Sequence, residues 1–222
     1  MNPFRSKWSW LGALALCMAV GCAGRSIWPF GPVSDTVPGI TPPPERMKKI
    51  REMAKQAHQQ GPKAEASCAE NLARMYPQEK DPLLRGEIAR AAGELSCPEA
   101  VAVLRQAMKD SDADVRVLAC RSLGKQGGND ASLALREALA GDMDADVRLA
   151  AAKALGRTGD PQAVPALGAA LEDSDPAMQY RAVGALRQVA PEDVGNDVDR
   201  WREYVKRNAP ASTVAADPRP KY

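Results

Sequence analysis

Asp112-Ala113-Asp114-Val115-Arg116-Val117-Leu118-Ala119-Cys120-Arg121-Ser122-Leu123-Gly124 returns little changed as Asp144-Ala145-Asp146-Val147-Arg148-Leu149-Ala150-Ala151-Ala152-Lys153-Ala154-Leu155-Gly156. Fainter copies start at Asp81 and Asp175, so the leading aspartates stand 31, 32 and 31 residues apart. A fixed period of this size is the signature of a solenoid, in which each repeat is one supersecondary unit that buries its apolar face only against its neighbours.

Counted from the leading Asp, offset three is apolar (Leu84, Val115, Val147, Met178). Offsets seven and eight are small or apolar (Ile88-Ala89, Ala119-Cys120, Ala151-Ala152, Ala182-Val183), and offset eleven reads Ala92, Leu123, Leu155, Leu186. These offsets make one stripe at helical period. Offset twelve is Gly93, Gly124 and Gly156, with Arg187 in the last copy. Glycine there predicts a helix ended by a left-handed residue. A second apolar series spaced by four follows, Ala100/Leu104/Met108, Ala131/Leu135/Leu139 and Ala163/Leu167/Leu171. Each repeat therefore reads as two antiparallel helices. The leading Asp accounts for the first helix start, because its carboxylate accepts from the free N–H groups of the first turn.

The prediction is an all-α α-solenoid of residues 45–207: an N-terminal cap unit at 45–80, then repeats at 81–111, 112–143, 144–174 and 175–207. In the cap unit Met47, Ile50, Met53, Ala54 and Ala57 share a face, with Leu72 and Met75 on the partner helix. The last repeat lacks the regular second helix. Trp201, Tyr204 and Val205 lie on one face there, and either seal the open end of the core or form a docking patch.

The Asp-Ala-Asp-Val-Arg-x-x-Ala-x-x-x-Leu-Gly pattern, followed by Asp160-Pro161-Gln162-Ala163-Val164-Pro165-Ala166-Leu167, resembles the HEAT repeat, and more closely the HEAT-like repeat of phycobilisome lyases. The match covers about residues 81–190. The resemblance implies the fold, and it implies that the helix bearing Asp-x-x-Val-Arg lines the concave side of the array. It is nearly silent on function, since such repeats serve lyases, scaffolds and adaptors. The Gly195-Asn196-Asp197…Trp201 ending resembles the close of other bacterial HEAT-like lipoproteins.

Residues 1–21 read as a secretory signal. Arg5 and Lys7 supply its positive start, and Leu11 to Val20 an apolar core too short for a membrane span of roughly 20 apolar residues. Ala19-Val20-Gly21-Cys22 resembles a bacterial lipobox, although Ala19 departs from the usual Leu. The expectation is a lipid on Cys22; the alternative is an ordinary cleaved signal with an incidental cysteine. Ala23 after the Cys is similar to outer-membrane sorting. Residues 22–44, with six prolines, read as a tether of about 3.1 Å per residue, and residues 208–222 as a disordered tail. The chain is thus expected in the cell envelope, anchored by lipid and facing the periplasm.

The sequence has 30 basic and 28 acidic residues; loss of the signal removes Arg5 and Lys7 and leaves 28 of each. Neutral balance argues against nucleic acid as a partner. There is no Cys-x-x-Cys and no phosphate loop, so no metal and no cofactor is expected. Cys120 reads as a small core residue. Cys68 and Cys97 take equivalent places in adjacent units, where a bridge and two free thiols are both open. His58 is the one histidine, read as a solvated residue near a helix end. HEAT-like deoxyhypusine hydroxylase holds iron with several His-Glu pairs, which this chain lacks.

What remains is a surface. Offset nine points away from the apolar stripe and reads Arg90, Arg121, Lys153, Gly184; offset thirteen reads Glu94, Lys125, Arg157, Gln188. Arg90, Arg121, Lys125, Lys153 and Arg157 form either a groove for an acidic protein partner or a solvated basic face. Arg85, Arg116 and Arg148 at offset four are read instead as a structural ladder with neighbouring cap aspartates. The function that follows is a non-catalytic protein-interaction scaffold tethered to a bacterial membrane. The competing class is a lyase-like enzyme or an accessory subunit of one.

Overall fold

Asp81, Asp112, Asp144 and Asp175 each adopt an extended conformation immediately before a helix, and each carboxylate accepts from a first-turn N–H: Leu83, Val115, Asp146 with Val147, and Ala177. The helices they open are α3 (Pro82–Ala92), α5 (Ala113–Gln126), α7 (Ala145–Thr158) and α9 (Pro176–Val189). In this computed structural model, which describes residues 41–208, they alternate with α2 (Pro62–Met75), α4 (Pro98–Ala107), α6 (Gly128–Gly141) and α8 (Val164–Ala170). Helix α1 (Pro43–Gln60) precedes them and α10 (Val198–Asn208) ends the array. No strand occurs among the described residues.

The expected signal at 1–21, the lipid-bearing Cys22, nearly all of the tether and the tail after Asn208 lie outside the described residues. Two boundaries differ from the reading of the sequence. Pro42 is the N-cap of α1, with Pro43 and Pro44 in its first turn, so these prolines start the solenoid rather than end the tether. Proline suits those positions because its missing N–H would have had no intrahelical partner. Asn208 closes α10 rather than beginning the tail.

Helices α1, α3, α5, α7 and α9 stack one on the next in one layer; α2, α4, α6 and α8 form the second. Every predicted stripe residue of the four repeats is buried, as are the second-helix leucines Leu104, Leu135, Leu139, Leu167 and Leu171. In the cap unit Leu72 is buried. Met75, expected beside it, is exposed at 37%, and Tyr76 takes the inward position. The reason is that α2 ends at Met75 and a short 3-10 turn (Tyr76–Gln78) rotates the next side chain into the core.

The offset-twelve glycines have a different role from the expected one. Gly93 caps α3 with right-handed φ and ψ, while Gly124 and Gly156 lie inside α5 and α7. The positive φ falls instead one step past α5 and α7, at Gly127 and Gly159. At offset twelve the need is space. A Cβ on Gly93 would lie 2.6 Å from Ser122 Oγ, on Gly124 2.7 Å from Ala154 Cβ, and on Gly156 2.9 Å from Ala185 Cα. Ser122, Ala154 and Ala185 all occupy offset ten of the following repeat. Small residue meets small residue at each joint, so the backbones of successive first helices approach closely. First helices touch their successors more extensively than second helices do. The array therefore bends with the first-helix layer on its inner side.

An acid–arginine ladder fixes the joints. Two residues before each cap stands Glu79, Asp110, Asp142 or Asp173, whose carboxylate accepts from the cap residue's N–H at 2.9–3.0 Å. Asp110 also takes Arg85 of its own repeat through two bonds of 2.7 and 2.8 Å, and Asp142 takes Arg116 at 2.9 and 3.0 Å, so each acid ties its repeat to the cap of the next. Arg46 pairs with Glu79 in the same way. The sequence reading placed the arginines against the cap aspartates; those carboxylates are engaged by their own helices, so the partner is the acid two positions earlier. Among the described residues Arg148 bonds only to the Asp142 and Met143 carbonyls, at 3.0 and 3.3 Å.

Burial works to raise the Asp110 carboxyl, but hydrogen bonds from Arg85, Tyr76 and the Asp112 N–H outweigh it and hold it at about 2. Asp142 is lowered likewise, burial being opposed chiefly by Arg116.

Candidate interaction surface

Each predicted basic residue lies on a first helix. Arg90 is on α3, Arg121 and Lys125 on α5, and Lys153 and Arg157 on α7; all five are exposed. Offset nine is the solvent side of each stripe, so these side chains project from the inner layer.

Their electrostatic states differ. The Arg90 guanidinium stands 4.0 Å from Glu87, a carboxylate buried on its own helix. Glu87 is held mainly by Arg51 of α1, at 2.9 and 3.2 Å. Lys125 reaches Glu94 at 2.5 Å. Arg121, Lys153 and Arg157 make no ion pair and no side-chain hydrogen bond among the described residues. The ribbon is therefore partly neutralised toward α1 and open toward α9.

Three contributors were missed. Arg51 lies nine positions after the α1 cap and so extends the offset-nine series; the cap is Pro42 rather than Asp, and the register was not visible. Arg181, at offset six of the last repeat, and Tyr180, 77% exposed beside it, also face this layer. Their offsets carry Leu149 and Ala150 in the preceding copy, so periodicity gave no signal.

A groove of about 320 Å³ lies between α7, α9 and the start of α10, lined in part by Lys153, Tyr180, Arg181, Gly184 and Gln188. A wider hollow of about 700 Å³ lies at the helix ends, among His58, Cys97, Lys125 and Gly127. There His58 Nδ1 sits 2.7 Å from the buried Glu65, whose other oxygen accepts from the Ser96 N–H. The histidine is exposed at the end of α1 as expected, yet it braces a buried carboxylate between two units.

Trp201 and Tyr204 lie inside α10. Trp201 is fully buried, its Nε1 donating to the Gly195 carbonyl at 2.8 Å, and Tyr204 is 5% exposed. The two rings meet edge to face at 5.3 Å. Val205 packs on Gly168, where a Cβ would fall 2.5 Å from its methyl, and Arg202 caps the Leu171 carbonyl at 2.7 Å. This face is turned into the array, which leaves little aromatic surface for docking. Cys68, Cys97 and Cys120 are free, buried thiols, so the two candidates for a bridge stand unpaired.

Among the described residues there is no group of three or more His, Cys, Asp or Glu arranged to hold a metal ion, and no helix is long and apolar enough to cross a membrane.

The family model described as HEAT repeats matches residues 69–142 and 132–200. Among solved structures, the complex of CpcE and CpcF of phycocyanin lyase from Nostoc sp. PCC7120 is similar at 24% identity and a TM-score of 0.55, covering 79% of each chain. An engineered protein matches at 22% identity and a TM-score of 0.40, over 64% of this chain and 72% of that one. Human deoxyhypusine hydroxylase with glycerol matches at 18% and 0.32, over 72% of this chain and 87% of that one. At 24% identity, the likeness to the CpcE–CpcF complex shows the fold alone. No curated protein sequence matches the chain significantly.

Proposed function

The chain belongs to the HEAT-repeat family, and from that premise we propose that it is a non-catalytic scaffold that binds an acidic protein on its first-helix layer. The observation that carries this reading is a contrast between two basic series. The offset-four arginines Arg46, Arg85 and Arg116 are each neutralised by an acid at the end of their own unit, next to the following cap. Arg121, Lys153 and Arg157 stand on the inner layer with no such partner among the described residues. Unpaired like charges add nothing to folding and are screened only beyond about 8–10 Å at physiological salt. They supply complementarity to a negatively charged surface.

The scaffold is further proposed to be held at a bacterial envelope membrane by lipid on Cys22, with the outer membrane favoured, on the strength of the lipobox-like Ala19-Val20-Gly21-Cys22. One acyl chain binds a bilayer marginally and two or more bind it stably. Cys22→Ser is expected to move the protein from the membrane pellet to the soluble fraction or to leave it unprocessed. Unchanged fractionation, with no acyl group on the mature terminus by mass spectrometry, rules the anchor out.

The binding reading is tested by changing Arg121, Lys153 and Arg157 together to Glu, then crosslinking in cells and identifying the captured protein. The expected result is an unchanged melting temperature with loss of the partner. Undiminished capture shows the ribbon to be a solvated face. Turnover of a substrate by the parent, abolished by one polar substitution that leaves the fold intact, points instead to the lyase-like alternative.

A further inference from the structure

Gly184 has no structural reason to be glycine. It lies inside α9 without a positive φ, and a Cβ built on it meets nothing within 4 Å. At Gly124 and Gly156, by contrast, the same atom runs into the next helix. Glycine in a helix interior is less favourable than alanine, because it loses more backbone freedom on folding. The fold bears this cost at Gly184 with no packing gain.

The position is offset nine, where the preceding repeats carry Arg90, Arg121 and Lys153. At the fourth repeat the ribbon's side chain is absent, and the groove of about 320 Å³ opens in its place. Its lining includes Lys153, Arg181 and Arg187 and no acidic residue. Arg187 is held by Asp193 at 3.0 Å; Lys153 and Arg181 have no ion-pair partner among the described residues. Tyr180 stands beside them, 77% exposed, with Val183 in the same lining.

Resting on the proposed acidic partner, we infer that this groove takes an extended acidic segment of that protein, its main chain lying against Gly184. Lys153 and Arg181 face its carboxylates, and an apolar side chain packs on Tyr180. A bare helix backbone is what lets another backbone approach to contact distance, which an arginine or alanine there prevents.

The test uses the full chain and two fluorescein-labelled probes, an octaglutamate peptide and the same peptide with one central leucine, read by anisotropy. Gly184→Leu adds bulk without charge at an exposed helical position, so its melting temperature should not fall. Its affinity for both probes should drop about tenfold or more. Tyr180→Ala should erase the advantage of the leucine probe. Parent-like binding by Gly184→Leu overturns the groove; if Arg121→Glu with Arg157→Glu then still weakens the probes, the basic layer stands as the binding surface without it. Failure of the parent to bind either probe overturns the groove and the acidic-partner reading together. Equal binding of vesicles of anionic phospholipid, competed by the peptide, shows an unselective anion surface and also overturns it.

Discussion

Gly124 and Ala154 touch at the joint between the second and third repeats, with room for no further carbon between them: a Cβ on Gly124 would lie 2.7 Å from that of Ala154. The same relation holds for Gly156 and Ala185. Gly124→Ala is therefore expected to destabilise the protein by about 1–3 kcal/mol through overpacking, although alanine is the better helix former. Urea denaturation of the two proteins measures it. A gain in stability shows that the joint relaxes freely and that the glycine does not set the spacing.

Acid should weaken the ladder. The Asp110 carboxyl titrates at about 2 in the folded protein, below its ordinary 3.8. A depressed carboxyl stabilises above its unfolded pKa, so its contribution is complete above about pH 4 and is lost as the pH falls from there toward 2. It amounts to about 2 kcal/mol at most. Arg85→Met should flatten the parent's fall in melting temperature across that window. An identical slope in both proteins shows that the pair does not govern the acid transition.

Loss of the buried end cap should cost more than loss of an exposed cation. Trp201→Ala removes a fully buried ring and its bond to the Gly195 carbonyl. The expected penalty is about 3–5 kcal/mol, and Leu155→Ala should cost about 2–5 by leaving a cavity between stacked repeats. Melting curves of these variants beside Arg121→Ala provide the comparison. A Trp201→Ala protein that melts with the parent shows that α10 does not close the array.

The thiols should be silent until the fold opens. Burial raises Cys68 and Cys97 above the ordinary thiol range and brings Cys120 to about 12. Since the thiolate is the reactive form, alkylation at pH 8 followed by peptide mapping should leave these three unmodified in buffer and modified in urea. Rapid native labelling of Cys120 contradicts its burial.

The opposition of His58 and Glu65 shows where sequence reading stopped. A lone histidine at a helix end carries no signal of a buried carboxylate seven residues on. His58→Ala leaves Glu65 with the Ser96 N–H alone, and a loss of about 1 kcal/mol is expected. The basic residues were legible because each repeats at a fixed offset on one helix. Tyr180 and Arg181 were not, because their offsets carry other residue types in the other copies.

Period, helix number, capping aspartates and apolar stripe were all present in the sequence, because each depends on residues within one or two turns or on exact recurrence. Which acid each arginine meets, why offset twelve is glycine, and which cations remain unpaired among the described residues depend on contacts across a repeat or between neighbouring repeats, mostly some 25 to 33 residues apart. Those follow from how closely successive helices pack. The sequence specified the unit; the stacking of one unit on the next decided what its surface leaves free to bind.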